Sequence, residues 1–505
     1  MPAFRSTPKA PAYGSISRRA FLVAAGAAGV ALGGGAAAPA NAATTVPAFS
    51  GIGISANSGL LAESADSQVQ SFAFMRALGV QNLRIDIPWR WIEQTRGSLI
   101  WTGLDRVVDL ARGDGMSILG VFTTTPPWAA LGGSSNQQTR PADPAAWARF
   151  ISLAVQRYRG RISAYELWNE PNGRQYFAPD PDPVAYAAMT RAAVPAIRSA
   201  DPSAIILAAG LGPAPDADGL MSPVRFFRQM LDAGIGAVDA YAFHPYDAQS
   251  MSDAARWDGT PTREVVEMQR ILRARGEGEK RIWATEYGAD SRAVGADAQN
   301  ALVISGMMQW NESAFAGPLF IHHHRDQSAA DGFGLAAADL SPKPAAYSAQ
   351  WFGNNGVPLR HEALVFSQNA DAKLGRPVGP VFPLPDGYGQ DYENGVRFAT
   401  PAGWLSSPPE IGDLLRRAGR VPLRPFADGM QDVLIPELGS GAGGRAFLSS
   451  AGAFLVVGAI LAVWNPGLGF PVSDQRVEKG VTIQDFSTGR ITWSPSVGAT
   501  AVTTS

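Results

Sequence analysis

The sequence predicts an α/β protein in which a (β/α)8 TIM barrel is followed by a small C-terminal module, and three observations support this fold class. From about Ser50 to Phe352, short apolar runs alternate with longer amphipathic stretches, the pattern of a parallel sheet with helical crossovers. The pattern recurs over roughly 300 residues, the size of one such barrel. Polar and aromatic residues follow most of the runs, as expected at the C-terminal mouth of a barrel.

Each predicted strand is a short apolar run that stops at a polar or aromatic residue. The predicted strands are Ile52–Ile54, Asn82–Ile87, Ser117–Phe122, Ala164–Trp168, Ile205–Ala209, Ala240–Phe243, Arg281–Thr285 and Pro318–His322. The helices between them are predicted at Ser67–Leu78, Leu104–Arg112, Ala145–Arg157, Pro183–Ala200, Val224–Ala233, Arg263–Arg275 and Asp297–Ser313.

The N-terminus resembles an export signal rather than part of the fold. Ser17–Leu22 contains a twin arginine, an apolar stretch runs from Val23 to Ala38, and Ala40–Ala42 is a small-x-small cleavage pattern. We expect removal after Ala42, so that the mature protein is secreted and has no membrane span. A retained N-terminal anchor is the alternative, but the apolar stretch is short for a bilayer.

The composition excludes several classes of function. The chain of 505 residues carries 42 basic and 44 acidic residues, and this balance gives no field that would attract nucleic acid. The absence of cysteine excludes disulfides, thiolate metal sites and a cysteine nucleophile. The apolar segment Phe454–Trp464 is too short to span a membrane and is predicted to be a buried helix.

The character of the chain changes after Trp351, where proline and glycine become frequent and the alternation stops. Gly375–Gly389 is predicted to be a loop, and Asp391–Thr400 to form a hairpin strand. We therefore divide the chain into a signal at 1–42, a barrel domain at 50–352 and a C-terminal module at 375–505.

The segment Glu166–Asn172 delivers two carboxylates, which we expect to alternate faces too poorly to work together. Glu170 lies just past the fourth strand. Pro171 restricts the residue before it, so the Glu170 backbone is predicted to be extended. A carboxylic acid held in this way has the fixed aim that a general acid needs.

A second short strand ends on Glu286, about three βα units after Glu170. This spacing places the two carboxylates on the fourth and seventh strands, across the mouth of the barrel. Two facing carboxylates are the usual groups of glycoside hydrolysis. A separation of about 5–5.5 Å retains the configuration of the sugar, and a wider gap inverts it.

Two motifs resemble those of clan A glycoside hydrolases, especially families 5 and 39. Leu167–Asn172 is similar to the acid/base motif and Thr285–Gly288 to the nucleophile motif, and their order matches over residues 50–350. The resemblance implies a glycosidase with Glu170 as acid/base and Glu286 as nucleophile. It implies no cofactor and no metal.

The resemblance also implies supporting roles near these two glutamates. Asn169 would bind the sugar 2-hydroxyl, and Arg84 would pair with the nucleophile and keep it ionised. A salt bridge between Arg84 and Asp86 is the alternative. His244 and Tyr246, after the sixth strand, resemble the pair that supports the nucleophile, with a structural role for His244 as the alternative.

Aromatic side chains near the strand ends are candidates for stacking on sugar rings. Trp89, Trp128 and Tyr287 occupy such positions, although packing in the core would explain each of them equally well.

The eighth strand departs from the family pattern, because His322, His323 and His324 stand where clan A enzymes usually carry tryptophan. We expect His322 and His324 to hydrogen-bond the substrate at an unusual −1 subsite. A zinc site made by these two histidines and Asp326 is the alternative.

The C-terminal module resembles an LGFP repeat over about 452–502, on the evidence of Leu468–Pro471, the preceding Trp464 and the later Gly489–Trp493. Val381–Gly403 is a candidate for a diverged copy. Such repeats occur in envelope proteins of bacteria with mycolic-acid walls, so the module is expected to bind a cell-wall polymer such as arabinogalactan. Simple packing on the barrel is the alternative.

Together these features predict a secreted retaining glycosidase that acts on a polysaccharide, in particular cell-wall galactan or arabinogalactan. A non-catalytic protein that binds wall polysaccharide is a second hypothesis. A transglycosylase that remodels the wall is a third, because it would share the covalent intermediate.

Overall fold

The computed structural model describes residues 49–56, 58–438 and 443–503, so the predicted signal at 1–42 lies outside the described residues. The chain forms two compact units. Of the described residues, the first comprises those from 49 to 248 together with 279–307 and 316–358, and the second comprises 249–278, 308–315 and those from 359 to 503. No helix within the described ranges is both long and apolar enough to cross a bilayer.

The first unit contains a closed barrel of eight parallel strands in sequential order, which confirms the predicted fold class. The strands are β1 Gly53–Ser55, β2 Asn82–Pro88, β3 Ser117–Thr123, β4 Ala164–Asn169, β5 Ile205–Leu211, β6 Ala240–Phe243, β7 Ile282–Tyr287 and β8 Ala316–His322. The described α-helices of residues 49–358 are Gly59–Ala62, Ala65–Ala77, Trp89–Ile92, Thr102–Gly113, Pro144–Tyr158, Pro183–Ala200, Pro223–Asp232, Pro261–Ala274, Ser291–Val294, Ala296–Trp310 and Pro344–Asn355.

Helix starts are set by a recurring local device, a capping side chain followed at once by proline. The side chains of Asp143, Asp182 and Thr260 each accept a hydrogen bond from a backbone amide of the first turn. The proline that follows each cap has no amide hydrogen to leave unpaired and already has a helical φ. These signals fix where the helices leave the loops and therefore how the strands between them are spaced.

The floor of the barrel is apolar, and its mouth is polar. A cluster of buried side chains fills the interior; its members are Leu119, Ala164, Leu207, Ala240, Ala242, Trp283 and Phe320. Polar side chains at the carboxyl ends of the strands stand above this floor. The functional groups are therefore carried by a rigid, water-free base.

The second unit includes the Pro261–Ala274 helix, which the sequence had assigned to the barrel. Its Arg270 pairs with Asp413 at 2.7 Å, and its Val266 packs with Phe315 and Val378. The sequence predicted this helix correctly. It did not show that Asp413, the partner of Arg270, lies 143 residues further along the chain.

Three antiparallel sheets form most of the second unit. Their strands are β9 Phe382–Leu384, β10 Gly387–Tyr392, β11 Gly395–Thr400, β12 Gly403–Ser407, β13 Met430–Val433, β14 Gly444–Ser449, β15 Gly452–Val457, β16 Arg476–Glu478, β17 Val481–Phe486, β18 Gly489–Ser494 and β19 Gly498–Thr503. Short helices lie at His361–Gln368, Pro409–Arg417 and Gly458–Val463.

Two local predictions for this region were wrong. Phe454–Trp464 is not one buried helix, because β15 occupies its first part and the Gly458–Val463 helix follows after Gly458 adopts a φ of +57°. Gly375–Gly389 is not all loop, since it contains β9 and the start of β10. Apolar runs of this length do not distinguish strand from helix. The predicted strand at Asp391–Thr400 is a hairpin of β10 and β11.

The three sheets repeat one local arrangement. In each, a proline forms a backbone bridge to the residue that follows a Gln-Asp pair; these bridges are Pro377 to Tyr392, Pro422 to Val433 and Pro471 to Phe486. The residue after each proline donates its amide to the aspartate carbonyl; these bonds are Val378 to Asp391, Leu423 to Asp432 and Val472 to Asp485. The second unit therefore consists largely of three structural copies of one hairpin motif.

The glutamine of each Gln-Asp pair is buried, and its side-chain amide donates to the carbonyl two residues beyond the bridging proline. These bonds run from Gln390 to Gly379, from Gln431 to Arg424 and from Gln484 to Ser473. Gln431 and Gln484 also donate to main-chain carbonyls of the preceding copy, at Ser406 of β12 and at Leu455 of β15. The side chains that define each copy therefore also join the copies together.

Candidate active site

A cavity of about 640 Å³ opens at the carboxyl ends of the barrel strands. Its lining includes Ser58, Asp86, Trp91, Thr123, Thr124, Gln137, Gln138, Asn169, Glu170, Tyr176, Tyr246, Asp247, Glu286, Asp290, His322 and Phe333. Of the residues predicted to act together, Asn169, Glu170, Tyr246, Glu286 and His322 all lie in this wall.

Glu286, at the end of β7, is held from two sides. The Arg84 guanidinium of β2 donates to its Oε1 at 2.5 Å, and the Tyr246 hydroxyl donates to its Oε2 at 2.8 Å. Arg84 makes this contact although it is fully buried. The sequence-based alternative, in which Arg84 bonds to Asp86, is not what the structure shows. The Asp86 carboxylate contacts the Ser58 hydroxyl instead.

Glu170 lies across the cavity and contacts His244. Nδ1 of the imidazole is 2.8 Å from Glu170 Oε1. One oxygen of Glu170, one of Glu286 and one nitrogen of His244 all lie within 4.8 Å of one another. The two carboxylates and the imidazole therefore form one compact cluster at the mouth of the barrel.

The backbone of Glu170 is not extended, as the sequence had predicted, but has a φ of +45°. The restriction by Pro171 is overridden because the Glu170 amide donates to the Gly210 carbonyl of the neighbouring β5 at 2.8 Å. A left-handed glutamate is strained, and such strain is typical of functional sites. A Cβ at Gly212 would lie 2.6 Å from the Glu170 carboxyl carbon, so glycine there leaves room for the side chain.

The charges around Glu286 favour its ionised form. Burial alone would raise the pKa of Glu286, but His244, Arg84 and the Tyr246 hydrogen bond hold the pKa well below its usual range. Burial disfavours the cation of His244, yet the carboxylates of Glu286 and Glu170 raise the pKa of His244 above its ordinary value. Glu286 is therefore a carboxylate near neutral pH.

His322 stands at the end of β8 with its Nδ1 3.7 Å from Glu286 Oε2. Burial lowers the pKa of His322 to about 4, so the imidazole is neutral near pH 7. Its Nδ1 is buried without a hydrogen-bond partner among the described residues. A neutral ring thus lines the cavity, with its Nδ1 buried on the side of Glu286.

Four other predicted site residues are not part of the cavity wall: Trp89, Trp128, Tyr287 and His324. The Trp89 ring is fully buried and bonds to Glu93, and Tyr287 is buried with its hydroxyl on the Leu302 carbonyl. Trp128 donates its indole N–H to the Glu93 carbonyl. Trp89 and Tyr287 are packing residues, so the prediction of sugar platforms was wrong for these two, whereas Trp128 is only partly buried and its stacking role stays a prediction.

His324 is the fourth, because its ring is buried beside Ser71 and Glu63 rather than in the cavity. Asp326 pairs with Lys343 at 2.8 Å. The proposed zinc ligands His322, His324 and Asp326 therefore make separate contacts and do not converge on one point.

Several residues of the wall were not predicted from the sequence, in particular Trp91, Tyr176 and Phe333. Trp91 is 39% exposed, more than the other aromatic residues of this wall. Phe333 packs edge-on against Tyr246 and His322, with ring centroids 5.8 Å away from each. Tyr176 and Phe333 lie in loops beyond the strand ends, where periodicity carries no signal, and Trp91 lies on the one-turn helix Trp89–Ile92. A helical turn there would place Trp89 and Trp91 about 200° apart, so only one of the two could face outward.

Glu166 is a further polar residue of β4 that belongs to the same cluster. It pairs with Arg84 at 2.8 Å from a fully buried position. Glu166 does not line the cavity as Glu170 does, and Glu170 lies past the end of β4 with a positive φ, so strand alternation does not relate the two side chains.

The family model described as Cellulase (glycosyl hydrolase family 5) matches residues 44–315, and the model of the LGFP repeat matches residues 468–505. No curated protein matches the chain.

Several solved structures are similar. A family 39 glycoside hydrolase from the gut symbiont Bacteroides cellulosilyticus WH2 is 16% identical over 80% of this chain and 78% of its own, with a TM-score of 0.49. The GH5_18 protein from Streptomyces cattleya, in complex with GlcNAc, is 16% identical over 61% of this chain and 82% of its own, with a TM-score of 0.49. The exo-beta-1,4-mannosidase Op5Man5 from Opitutaceae bacterium strain TAV5 is 20% identical over 62% of this chain and 60% of its own, with a TM-score of 0.44.

Proposed function

Because the chain belongs to the cellulase family, glycosyl hydrolase family 5, and is a glycosidase, we propose that it cleaves O-glycosidic bonds of a polysaccharide with retention of configuration. The observation that carries this proposal is the close pair of Glu170 and Glu286 in two different electrostatic environments.

Glu286 is the nucleophile. Its carboxylate oxygen attacks the anomeric carbon, the glycosidic C–O bond breaks, and a covalent glycosyl-enzyme forms. The contacts from Arg84 and Tyr246 aim the carboxylate and keep it ionised. Because Arg84 helps to keep Glu286 ionised, no deprotonation step has to precede attack at neutral pH.

Glu170 is the acid/base. It protonates the leaving oxygen as the first bond breaks, and it then accepts a proton from the water that hydrolyses the glycosyl-enzyme. His244, 2.8 Å away, is the group that can share a proton with it between the two steps. The approach of the two carboxylates within 4.8 Å supports retention, since inverting enzymes hold theirs about 6.5–9.5 Å apart.

Asn169, His322 and Trp91 are the substrate-binding groups. The Asn169 oxygen already accepts from Arg84 at 2.8 Å, so its NH2 group is the end left to donate to a sugar hydroxyl. The His322 ring lies in the same wall and is the group that hydrogen-bonds the sugar at the −1 subsite. Trp91 provides a stacking face for a sugar further from the bond that breaks.

We propose that the C-terminal copies bind a cell-wall polymer and bring the enzyme to its substrate, galactan or arabinogalactan of the wall. The match of the LGFP model to 468–505 supports this role. The two earlier structural copies are diverged members of the same repeat. On this view residues 1–42 direct export, 50–352 form the hydrolase domain and 375–505 form the wall-binding module.

The test is sugar release from purified arabinogalactan and a panel of β-glycans by the wild type, Glu170→Gln and Glu286→Gln. The exposed Glu410→Gln is the matched control. We expect release from one polymer, retention of the anomeric configuration by NMR, and loss of activity in both site variants only. Binding to wall polymer without release would favour a binding protein, and transfer to an added sugar acceptor would favour a transglycosylase.

A further inference from the structure

Glu166 is a fully buried carboxylate that does not itself line the cavity, and both of its oxygens accept hydrogen bonds. A buried charge of this kind is costly unless it is paired, so its partners indicate what it is for. Two chains of contacts lead away from it, and each ends on one of the two glutamates of the cavity.

We propose that Glu166 is a positioning residue that aligns the nucleophile and the acid/base together, an inference that rests on the proposed function. One arm runs through Arg84 to Glu286. The other runs through Thr285 and His244 to Glu170.

The nucleophile arm is a two-point clamp on a guanidinium. Glu166 Oε2 accepts from Arg84 Nε at 2.8 Å, and Oε1 accepts from Nη2 at 3.3 Å. The clamp fixes the plane of the guanidinium, whose remaining donors meet Ser55 at 3.0 Å, Asn169 at 2.8 Å and Glu286. Because the guanidinium is planar and rigid, the clamp also fixes the direction in which Arg84 donates to the Glu286 carboxylate.

The acid/base arm fixes a tautomer. The Thr285 hydroxyl has a single proton, which it donates to Glu166 Oε1 at 3.2 Å. The hydroxyl oxygen must then accept from His244 Nε2, 3.1 Å away, so the ring proton of neutral His244 lies on Nε2. The lone pair of Nδ1 is thereby left to face Glu170 Oε1.

The two arms meet because Gly210 has no side chain. A Cβ at this position would lie 2.2 Å from Glu166 Oε1 and 2.8 Å from His244 Nε2. The glycine of β5 therefore leaves the space in which the carboxylate and the imidazole approach the same hydroxyl.

Glu166 also divides the charge of Arg84 between two carboxylates. Without Glu166, the cation would pair with Glu286 alone, and the nucleophile would be more strongly stabilised in its ground state. The charged and titratable groups that face His244 are Glu170, Glu286, Arg84 and, through Thr285, Glu166. Removal of the Glu166 charge therefore affects both ends of the reaction.

The kinetic test compares Glu166→Gln, Thr285→Val and Thr285→Ser on the polymer that the wild type cleaves and on an aryl glycoside of the same sugar with a good leaving group. Such a leaving group needs no acid to depart. We expect Glu166→Gln to lose about 100-fold in kcat on both substrates with little change in KM. Thr285→Val loses about 100-fold in kcat/KM on the polymer but keeps kcat/KM on the aryl glycoside, because kcat/KM reports the first step, in which this leaving group needs no acid. Thr285→Ser recovers at least about tenfold of the loss on the polymer.

A wild-type-like kcat in Glu166→Gln, beside inactive Glu170→Gln and Glu286→Gln, would overturn the positioning role and leave the glycosidase intact. Equal losses of Thr285→Val on both substrates would overturn the separate acid/base arm.

A second readout does not depend on activity or on the folding of the glutamate variant. The chain has 5 histidines, so 15N-histidine NMR of the full protein can resolve His244, with His244→Gln for its assignment. We expect the Nε2–H tautomer or the imidazolium in the wild type, and Nδ1 protonation of the neutral ring in part of the molecules of Thr285→Val. A neutral Nδ1–H tautomer in the wild type would overturn the proposal, whatever the activity.

Discussion

In the barrel, the buried polar side chains of Arg84, Glu166 and His244 bond to one another and end on carboxylates in an open cavity. In the second unit, the buried amides of Gln431 and Gln484 end on main-chain carbonyls. Both sets remove polar groups from water at similar depth. They differ in what lies at the far end, a group that can react in one case and the backbone in the other.

The comparison distinguishes buried polar side chains that support the reaction from buried polar side chains that hold the fold together. A network of side chains that ends in a cavity can exchange protons and change charge. Amides that end on carbonyls can only hold strands at a fixed distance. Changes in the first set should therefore alter rate and pH dependence, whereas changes in the second set should alter stability and leave the rate unchanged.

The largest expected effect comes from Glu286→Gln. We expect kcat/KM to fall by at least about 10⁴-fold because no covalent intermediate can form. The midpoint of thermal unfolding should remain close to that of the wild type, since the amide keeps the volume of the carboxylate and the Tyr246 contact. Calorimetry beside the activity assay measures both, and a residual rate within tenfold of the wild type would contradict the assignment.

Gln431→Leu tests the architectural side of the comparison. The change removes the partner of the Ser406 and Arg424 carbonyls and of the buried Ser407 hydroxyl. We expect a loss of about 3 kcal/mol in the free energy of unfolding of the second unit, measured by urea denaturation. Hydrolysis of a small soluble glycoside should be unchanged. A reduced rate with normal stability would reverse the roles that we assign to the two regions.

Tyr246→Phe should shift the pH profile. The hydroxyl holds down the pKa of Glu286, so its removal raises that pKa. The nucleophile must be ionised, and activity is lost as the pH falls through its pKa. The acid limb of kcat/KM should therefore move to higher pH, because a hydrogen bond to the ionised form is lost. An unmoved acid limb would mean that Tyr246 does not act on the ionisation of Glu286.

Glu63→Gln should affect stability in a pH-dependent way, although Glu63 is in the barrel unit. Burial would raise the pKa of Glu63, but contacts with His324, Ser67 and Arg325 lower the pKa to about 2. A lowered folded-state pKa stabilises the protein above the ordinary carboxyl pKa of 4.5, and this contribution is lost as the pH falls to about 2. The difference in unfolding midpoint between variant and wild type should shrink over that window, and a constant difference would contradict the assignment.

The smallest effect is expected for Asp218→Asn. Asp218 forms an ion pair with Arg174 at 3.0 Å, but its side chain is 90% exposed. Surface pairs of this kind contribute little because water screens them. The unfolding midpoint and the activity should both match the wild type within error, which makes this variant the baseline for the other four.

The barrel could be predicted from the sequence because its signals are local. Each strand is a short apolar run, and each helix has its own period and often its own cap. The two carboxylates could be located for the same reason, since Glu170 and Glu286 follow their strands directly. What the sequence could not show is which partners arrive from elsewhere, such as the Pro261–Ala274 helix with its partner Asp413.

The site was less predictable where a contact with a residue distant in the chain overrides a local sequence rule. The Pro171 rule gave the wrong backbone for Glu170 because a hydrogen bond from β5 overrides it. Trp89 and Trp91 are equally aromatic and lie two residues apart, yet only Trp91 faces the cavity. Glu166 was set aside because its role depends on Arg84, which is 82 residues away in the chain.

The most direct measurement is to trap the glycosyl-enzyme with a 2-fluoro aryl glycoside of the sugar that the wild type releases. Trypsin separates the two glutamates, because Glu286 falls in the peptide 282–292 and Glu170 in the peptide 162–174. We predict a single label, by mass spectrometry, on Glu286 in peptide 282–292. A label in peptide 162–174, or steady turnover to a product of inverted configuration without any label, would contradict the two-glutamate retaining mechanism.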